Sequence, residues 1–415
     1  MKGTRRKNID KGEQQPKKKM KISVQQRKRS SSSSTEQEEE GNYANIDYFN
    51  KLSGDVITSL FLICPLKSLS MLRCTSKLWN NFITTPSFLH SHLTQSTQNG
   101  PKLLFLENKY LHRSQKSWLR FVSVDMDGSK EELYTVTVPD IQLVCSAMEV
   151  CFGLVCLSTD CRLYLCNPAL QQLCELPEYS LSATPGYRHF GFGYLHSRKE
   201  YKVVHFFYNV PSMTERFCNL GILQVSHLKC EVLTLNKFGG VSFNRWKEIA
   251  DRSPCRPRSQ GLLVNECMYW CTYSLPRPRS NPILSFDFES EKFLAISLPS
   301  PFEDNVGSSL MDLKGMLCLP DVCRLRKSSI LDLWILEDKI SCSWVKEYSI
   351  RLIDFGFNNI TSYCKTCNEE IIFRHLDKVV FYDLKKKSFR EVEALSPLYN
   401  RYGIYSKSLF SLRTI

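Results

Sequence analysis

The pair Cys364-x-x-Cys367 has the spacing of two ligands in a metal site. A structural zinc ion needs four ligands, which two such pairs usually supply together. His375 follows eight residues after Cys367, the spacing of Cys318 and Cys323 is too wide, and no second pair matches. We therefore predict no metal site and no cofactor, and we interpret the pair as core thiols at the end of a strand.

Nucleophilic or hydrolytic catalysis also lacks a matching motif. The eight histidines form no His-Glu-x-x-His set, and no Gly-x-Ser-x-Gly sequence is present. Gly191-Phe192-Gly193 lacks the third glycine of a dinucleotide-binding loop and is more typical of a strand that another group approaches closely. We predict that the chain has no catalytic residue and is not an enzyme.

Two short segments rich in arginine and proline have residues suited to binding an anion. Arg252, Arg256 and Arg258 lie in the first segment, and Arg277 and Arg279 lie in the second. Guanidinium groups pair with phosphates and carboxylates, and loops often carry binding residues. We name these arginines as candidate contacts to a protein substrate. The alternative is that their charge only keeps exposed loops solvated.

The first 45 residues have the composition of a disordered tail, rich in Lys, Arg, Ser, Gln and Glu. Residues 1–40 hold twelve Lys/Arg against six Asp/Glu, which is nearly half of the net charge of +13. The basic residues form three clusters: Arg5, Arg6 and Lys7; Lys17, Lys18 and Lys19; Arg27, Lys28 and Arg29. Such clusters are typical of nuclear import signals, and we predict a nuclear and cytoplasmic protein. A merely solubilising tail and a nucleic-acid-binding tail are the alternatives, and nucleic acid is the less favoured partner.

The composition outside the tail is that of a globular protein. The chain has 415 residues, of which 42% are hydrophobic and 23% are charged, so two or three units are expected. Pro65 interrupts the longest apolar run, and no segment is long enough to span a bilayer. Without a secretory signal, the eighteen cysteines are expected to be reduced and mostly buried.

Residues 46–95 have the pattern of four short helices. Ile57, Leu60 and Phe61 are spaced to share one helical face, and Pro65 is expected to end that helix. A second helix is expected after Ser68, and Ser76 is expected to cap a third. A unit this small has more apolar surface than it can bury, which favours a partner.

From residue 100 to residue 412 the sequence is typical of short strands. A unit of strand, polar turn and second strand recurs, with markers at Asp125, Asn167, Val225, Asp287, Trp334 and Asp383. Their spacing lies near fifty residues, which is typical of propeller blades. Because one blade cannot bury both of its faces, several must close into a ring. The markers predict six blades, or seven if one copy is too weak to recognise.

Two sets of residues resemble plant F-box proteins that carry an F-box-associated, kelch-like domain. The first set, in the helical segment, comprises residues 52–57, 64–69, 72–80, 83 and 86–88. The second, in the strand region, comprises residues 153–156, 167–168, 176–177, 191–194, 201–204, 268–270, 286–287, 291–293 and 298–299. The chain departs from the resemblance at Ser53, where a proline is usual, and at Cys64, where a leucine is usual. Both changes fit the helical pattern but could weaken partner binding.

The resemblance implies a substrate-receptor subunit of an SCF-type cullin-RING ubiquitin ligase. The F-box would bind the Skp-type adaptor, and through it the cullin and RING subunits, while the propeller would bind a protein to be degraded. The residues expected to contact the adaptor are Leu52, Asp55, Ile57, Pro65, Leu66, Leu69 and Leu72. Trp79 is expected in the internal core. A helical cap packed on the propeller, in a scaffold without a ligase, is the alternative.

Overall fold

The computed structural model describes 52–98, 100, 102–111, 116–125, 127–139, 147–159, 162–180, 189–208, 228–235, 245–273, 281–299, 302, 310–321, 328–352, 365–367, 370–375, 378–392 and 399–413. Within the chain, Ser53–Ile415 form one compact unit. The basic tail predicted at 1–45, with its import clusters, lies outside the described residues, as do Arg277 and Arg279.

Four helices open this unit: α1 (Gly54–Leu62), α2 (Leu66–Thr75), α3 (Lys77–Ile83) and α4 (Pro86–Gln98). The Ser76 hydroxyl accepts a hydrogen bond from the Leu78 amide at 3.2 Å, so the predicted cap of α3 is confirmed. The prediction that α2 begins after Ser68 is wrong. Pro65 is the N-cap residue of α2, since its fixed φ suits the start of a helix and it has no amide hydrogen to satisfy.

The helices share a small aromatic core. Its buried members are Phe61, Leu69, Ile83, Phe88, Leu89 and, from the far end of the chain, Leu409. The Trp79 ring packs edge-on against Phe61 with centroids 5.2 Å apart, which places Trp79 in this core as expected. Leu60, predicted to share the inner face with Phe61, points to solvent instead.

The remaining chain forms six antiparallel sheets, described as blades in chain order. Blades 1 and 2 contain β1 (Lys102–Leu111), β2 (Lys116–Val124), β3 (Lys130–Pro139), β4 (Ala147–Cys151), β5 (Leu154–Ser158), β6 (Leu163–Asn167) and β7 (Gln172–Glu175). Blades 3 and 4 contain β8 (His189–Leu195), β9 (Glu200–Tyr208), β10 (Leu228–Leu235), β11 (Lys247–Glu248), β12 (Arg256–Pro257), β13 (Leu262–Val264), β14 (Cys267–Tyr273), β15 (Ile283–Asp287) and β16 (Lys292–Ile296). Blades 5 and 6 contain β17 (Met311–Leu313), β18 (Met316–Pro320), β19 (Ile330–Asp338), β20 (Ser343–Arg351), β21 (Lys365–Cys367), β22 (Glu370–His375), β23 (Lys378–Asp383) and β24 (Ser388–Val392).

The last strand, β25 (Tyr399–Tyr405), completes blade 1 by pairing with β1. Because it joins the end of the strand region to its beginning, it closes the blades into a ring. The first strands of successive blades contact one another in the order β25, β4, β8, β13, β17 and β21. The protein is therefore a six-bladed β-propeller preceded by four helices, and the prediction of six blades is confirmed.

In several blades the repeated marker has a structural role at the turn into the outer strand. Asp287 and Asp383 end the third strands of their blades, and their carboxylates accept hydrogen bonds from amides two and three residues on. In blade 5 this role belongs to Asp338, not to Trp334, which lies inside β19. Val225 lies outside the described residues. The repeat thus reflects a side chain that satisfies the backbone amides of a tight turn.

The blades pack through apolar side chains that project from both faces of each sheet. Gly191 and Gly193 on β8 allow close approaches, because a Cβ at Gly191 would lie 2.7 Å from Trp270 and a Cβ at Gly193 would lie 2.2 Å from Phe288. This confirms the interpretation of Gly191-Phe192-Gly193 as a strand under close contact. Buried cysteines add to the packing, and burial raises the pKa of Cys151 to about 12, so its thiol is inert.

Candidate functional site

Several large apolar side chains are exposed on the helical segment. Val56, Leu60 and Ile63 are exposed and spaced four and three residues apart, so they form one stripe along α1 and its C-terminal turn. Ile63 is 73% exposed. Met71 on α2 and Leu78 on α3 are also exposed large apolar side chains. We call Val56, Leu60, Ile63, Met71 and Leu78 the apolar face.

The residues predicted to bind an adaptor divide between surface and core. Leu52, Asp55 and Pro65 are exposed, and Ile57, Leu66 and Leu72 are half-buried against the helical core. Leu69 is 0% exposed, so it cannot contact a partner without unfolding α2, and the structure places it in the core instead. Spacing alone did not separate the two sides of these helices, because α1 carries apolar residues on both sides.

The five residues of the apolar face were missed by sequence reasoning. The signal for them was present: Val56 and Leu60 repeat at the interval of Ile57 and Phe61, one position earlier. Two parallel apolar stripes on one short helix predict one buried and one exposed side. The composition of the helix does not show which stripe faces inward. In the structure, the stripe that contains the aromatic Phe61 is the buried one.

Both departures at the start of the helical segment have a structural replacement. The Ser53 hydroxyl accepts a hydrogen bond from the Val56 amide at 3.4 Å and caps α1, a role that a proline lacks. Cys64 packs against the helical core, and its thiol lies 3.3 Å from the Leu60 carbonyl. The apolar face therefore sits on a helix with a formed N-terminus.

The propeller has a second candidate surface on the side opposite to the helices. The first strands of blades 2 to 5 end in turns at residues 152–153, 196–199, 265–266 and 314–315. The helices lie on the same side of the propeller as these turns, since the rings of His90 on α4 and His196 in one of the turns are 6.5 Å apart. Since the strands alternate in direction, the second strands end on the other side, at Ser158, Tyr208, Tyr273 and Pro320. We call that side the loop face.

One candidate arginine of the first segment, Arg256, lies at the loop face on blade 4. Arg256 pairs with Tyr273, the last residue of β14, so β12 flanks the point at which the chain leaves the sheet. Arg252 and Arg258 are exposed, whereas Arg256 is half-buried. Near this edge, burial and the charge of Arg256 lower the pKa of His189 to about 4, so at neutral pH its imidazole adds no charge to these arginines.

Potential metal ligands are present among the described residues, but they do not form a cluster. Among them, no group of three or more His, Cys, Asp or Glu side chains is placed to hold a metal ion. Cys364 of the C-x-x-C pair lies outside the described residues. Within the described part of the chain, no helix has the length and apolar character needed to cross a membrane.

Comparison with known proteins gives one family match that covers most of the chain. A family model described as the F-box-associated β-propeller domain matches residues 102–401. The Arabidopsis thaliana F-box protein At3g07870 is 28% identical over 322 residues, covering 72% of each chain. The F-box protein CPR1 of the same plant is 26% identical over 367 residues, covering 80% of this chain and 82% of its own. Among solved structures, an acylaminoacyl peptidase of Pyrococcus horikoshii aligns with a TM-score of 0.39 at 10% identity, over 72% of this chain and 47% of its own.

Proposed function

We propose a function from one premise: the chain belongs to the family of proteins with an F-box-associated β-propeller domain. The proposed function is that of a substrate receptor in an SCF-type cullin-RING ubiquitin ligase. The helical segment is the F-box and binds a Skp-type adaptor, which links it to the cullin and RING subunits. The propeller holds the protein to be ubiquitinated, and the chain itself catalyses nothing.

The observation that carries this proposal is the apolar face. Stable protein interfaces bury about 1,600 Å² in total around an apolar centre. Val56, Leu60 and Ile63 form a continuous stripe on one helix, and Leu52 lies one turn before it in the sequence. Exposed apolar side chains grouped in this way mark an interaction site, and the fold of the segment leaves them uncovered.

Two isoleucines of similar exposure provide the test. Ile63 is 73% exposed in the helical segment and Ile340 is 84% exposed on the propeller, so neither contributes much to a core. We expect Ile63→Ser to reduce co-purification of the Skp-type adaptor and cullin at least tenfold, since truncating a central interface contact costs about 1–3 kcal/mol. Ile340→Ser, the matched control, should leave capture unchanged.

Equal capture of adaptor by both variants would reject the adaptor site. Failure of the wild-type chain to capture any Skp-type adaptor would favour the alternative, a propeller scaffold that binds its partner outside a ligase. In both cases, circular dichroism of the purified variants checks that the fold is unchanged.

The substrate end of the proposal rests on the loop face. It lies opposite to the helices, so a protein bound there does not compete with the adaptor for space. Arg256 lies at its edge, and Arg252 and Arg258 are exposed on the same segment. We propose that these three, with Arg277 and Arg279, contact acidic or phosphorylated segments of the substrate.

Replacing these five arginines with alanine tests the contact. Proximity labelling in cells should then recover fewer of the proteins that accumulate when residues 48–95 are deleted. The control replaces Lys385, Lys386 and Lys387 with alanine, since these cations lie on the turn after β23 and their loss also lowers the net charge. An unchanged set of labelled proteins in the arginine variant would remove the arginines from the substrate site.

We also propose that the basic clusters direct part of the protein to the nucleus. Arg5–Lys7, Lys17–Lys19 and Arg27–Arg29 have the composition of import signals, and deletion of residues 1–40 should leave a fluorescent fusion in the cytoplasm. The same deletion should not affect adaptor capture. A salt-sensitive binding of the tail to DNA or RNA would instead favour the nucleic-acid alternative.

A further inference from the structure

The segment Ser406–Arg413, which follows the closing strand, connects two parts of the structure. It leaves β25 at Tyr405 and passes between the helices and the turns of blades 2 and 3. Its side chains divide between the two sides, because Leu409 packs among the helices while Ser408, Phe410 and Leu412 face the propeller. We call Ser406–Arg413 the joint.

On the helical side the joint contributes one core residue. Leu409 is 2% exposed and clusters with Phe61, Leu69 and Phe88. Among the described residues, it is the only member of that cluster that comes from outside the helical segment. The helices therefore complete their core with a side chain that the propeller region supplies.

On the propeller side the joint is held by polar and apolar contacts. The buried Asn167 amide donates to the Ser408 and Phe410 carbonyls at 3.0 and 2.7 Å. The Gln172 side chain accepts the Leu412 amide at 2.6 Å, and the Phe410 ring packs edge-on against Tyr201. Since buried amides and carbonyls must be paired, these bonds fix the backbone of the joint on blade 2.

Gly153 permits this close placement. A Cβ at Gly153 would lie 2.3 Å from the Ser408 Cβ and 2.8 Å from the Ser406 carbonyl oxygen, and the φ of +76° also favours glycine. The turn between β4 and β5 is thus shaped to accept the joint. Beside this contact, a cavity of about 420 Å³ separates the α1–α2 connection from Tyr405 and Lys407, so the packing there is incomplete.

We propose that Leu409 is a positioning residue, and that the joint sets the orientation of the helical segment on the propeller. If the proposed function holds, on which this consequence rests, the joint also sets the direction from the adaptor to a protein bound at the loop face. A ubiquitin ligase needs that geometry because its transfer step acts on a lysine within reach, so rigid placement limits which lysines are used.

Hydrogen exchange on the full-length chain tests the joint without any partner. In Leu409→Ala we expect amide exchange in α4 to become roughly tenfold faster or more, because the helical core loses a fully buried side chain. Exchange in β5, β6 and β9 should stay within twofold of wild type. Ser411→Ala is the matched control, since its side chain touches Gln172 and no helix, and it should leave α4 unchanged.

Several outcomes would overturn the proposal. Unchanged α4 exchange in Leu409→Ala would show that the helices do not depend on the joint, and equal acceleration in β5 and β6 would show a general loss of stability. If Leu409→Ala is insoluble, Leu409→Val replaces it, with a smaller acceleration expected in α4 and the same two results counting against the joint. If hydrogen exchange changes as expected but the chain captures no adaptor, the positioning role of the joint stands and the proposed function is rejected.

Discussion

The helical segment and the propeller treat their apolar side chains in opposite ways. The propeller buries its large residues between blades, as Trp270, Phe286 and Phe381 show. The helical segment is far shorter, yet most of the exposed large apolar side chains of the described residues belong to it. The contrast indicates that the propeller is closed by its own chain, whereas the helices take Leu409 into their core and still leave large apolar side chains exposed.

The outer strands of the propeller also differ from the helical segment, because they carry paired charges. In five blades an ion pair joins the third and fourth strands or their ends: Arg120–Glu132, Arg162–Glu175, Lys229–Glu248, Lys346–Asp332 and Lys378–Glu391. Charged edges discourage pairing with other chains. The propeller thus presents charge where the helices present apolar residues, and binding through its outer strands is disfavoured.

The largest effect is expected from removing a side chain between blades. Trp270 is fully buried, packs edge-on against Phe206 and fits against Gly191. Trp270→Ala should lower the free energy of unfolding by about 3–5 kcal/mol, through lost burial and the cavity left behind. Denaturant unfolding followed by far-ultraviolet circular dichroism measures the change, because this signal does not depend on the fluorescence of the tryptophan that is removed. A loss below about 1 kcal/mol would contradict the closed packing of the propeller.

A pair of neighbours on α2 separates core from face within the helical segment. Leu69 is fully buried and Met71 is 63% exposed on the same helix. Leu69→Ala should cost about 2–5 kcal/mol of unfolding free energy, whereas Met71→Ala should stay within about 0.5 kcal/mol of wild type. At a temperature where both variants are folded, Met71→Ala should reduce adaptor capture more than Leu69→Ala does. Similar stability losses in the two variants would erase the distinction between the helical core and the apolar face.

Much of the fold followed from the sequence because its signals are local. The strand-turn-strand unit recurs, and in blades 4 and 6 an Asp binds the amides of its turn. The spacing of the units predicted the six blades, although the markers chosen in blades 3 and 5 are not such residues. The pairing of β25 with β1 did not follow, because it joins residues nearly 300 positions apart and no local pattern records it. The joint was not predicted for the same reason, since Leu409 contacts helices more than 300 positions earlier in the chain. In the sequence it is only one more apolar residue after a strand.

The candidate sites were only partly predictable. Of the predicted adaptor contacts, Leu52, Asp55 and Pro65 are exposed and Leu69 is internal. Leu60 was assigned to the inner face, and Val56 and Ile63 were not proposed as contacts. A helix that is apolar on two sides has two possible orientations, and only its tertiary partners decide between them. For the arginines, the sequence predicted loops, but Arg256 lies in the short strand β12 because it pairs with the end of β14. The direction of β14 assigns this edge to the loop face.

A pH titration sharpens the comparison through buried histidines. In the propeller, burial first and then the charges of Arg256 and His205 hold the pKa of His189 at about 4, against a hydrogen bond to Ser259 that raises it. The unfolded chain has a pKa near 6.5 at this residue, so between about pH 6.5 and 4 it binds more protons than the folded chain. Stability is therefore complete above that window and is lost as the pH falls through it, by about 3 kcal/mol for His189.

The measurement is the free energy of unfolding at several pH values for wild type and His189→Asn. The variant should show a shallower fall in stability between pH 6.5 and 4. A residual slope of the same sign should remain in the variant, because burial also lowers the pKa of His92 in the helical segment. Parallel pH curves for the two proteins would show that His189 is not buried as a neutral base.

The smallest effect is expected at the charged outer strands. Lys229 and Glu248 join β10 to β11 at 2.7 Å, and both side chains are exposed. Exposed ion pairs contribute only about 0.2–1 kcal/mol, and at 1 M salt the screening length falls to about 3 Å. Lys229→Met should therefore reduce the unfolding free energy by less than about 1 kcal/mol in dilute buffer, and the difference should shrink in high salt. A loss of several kcal/mol would mean that the outer strands depend on their charges as much as the blade interiors depend on apolar packing. The contrast between the helical segment and the propeller would then need another physical basis.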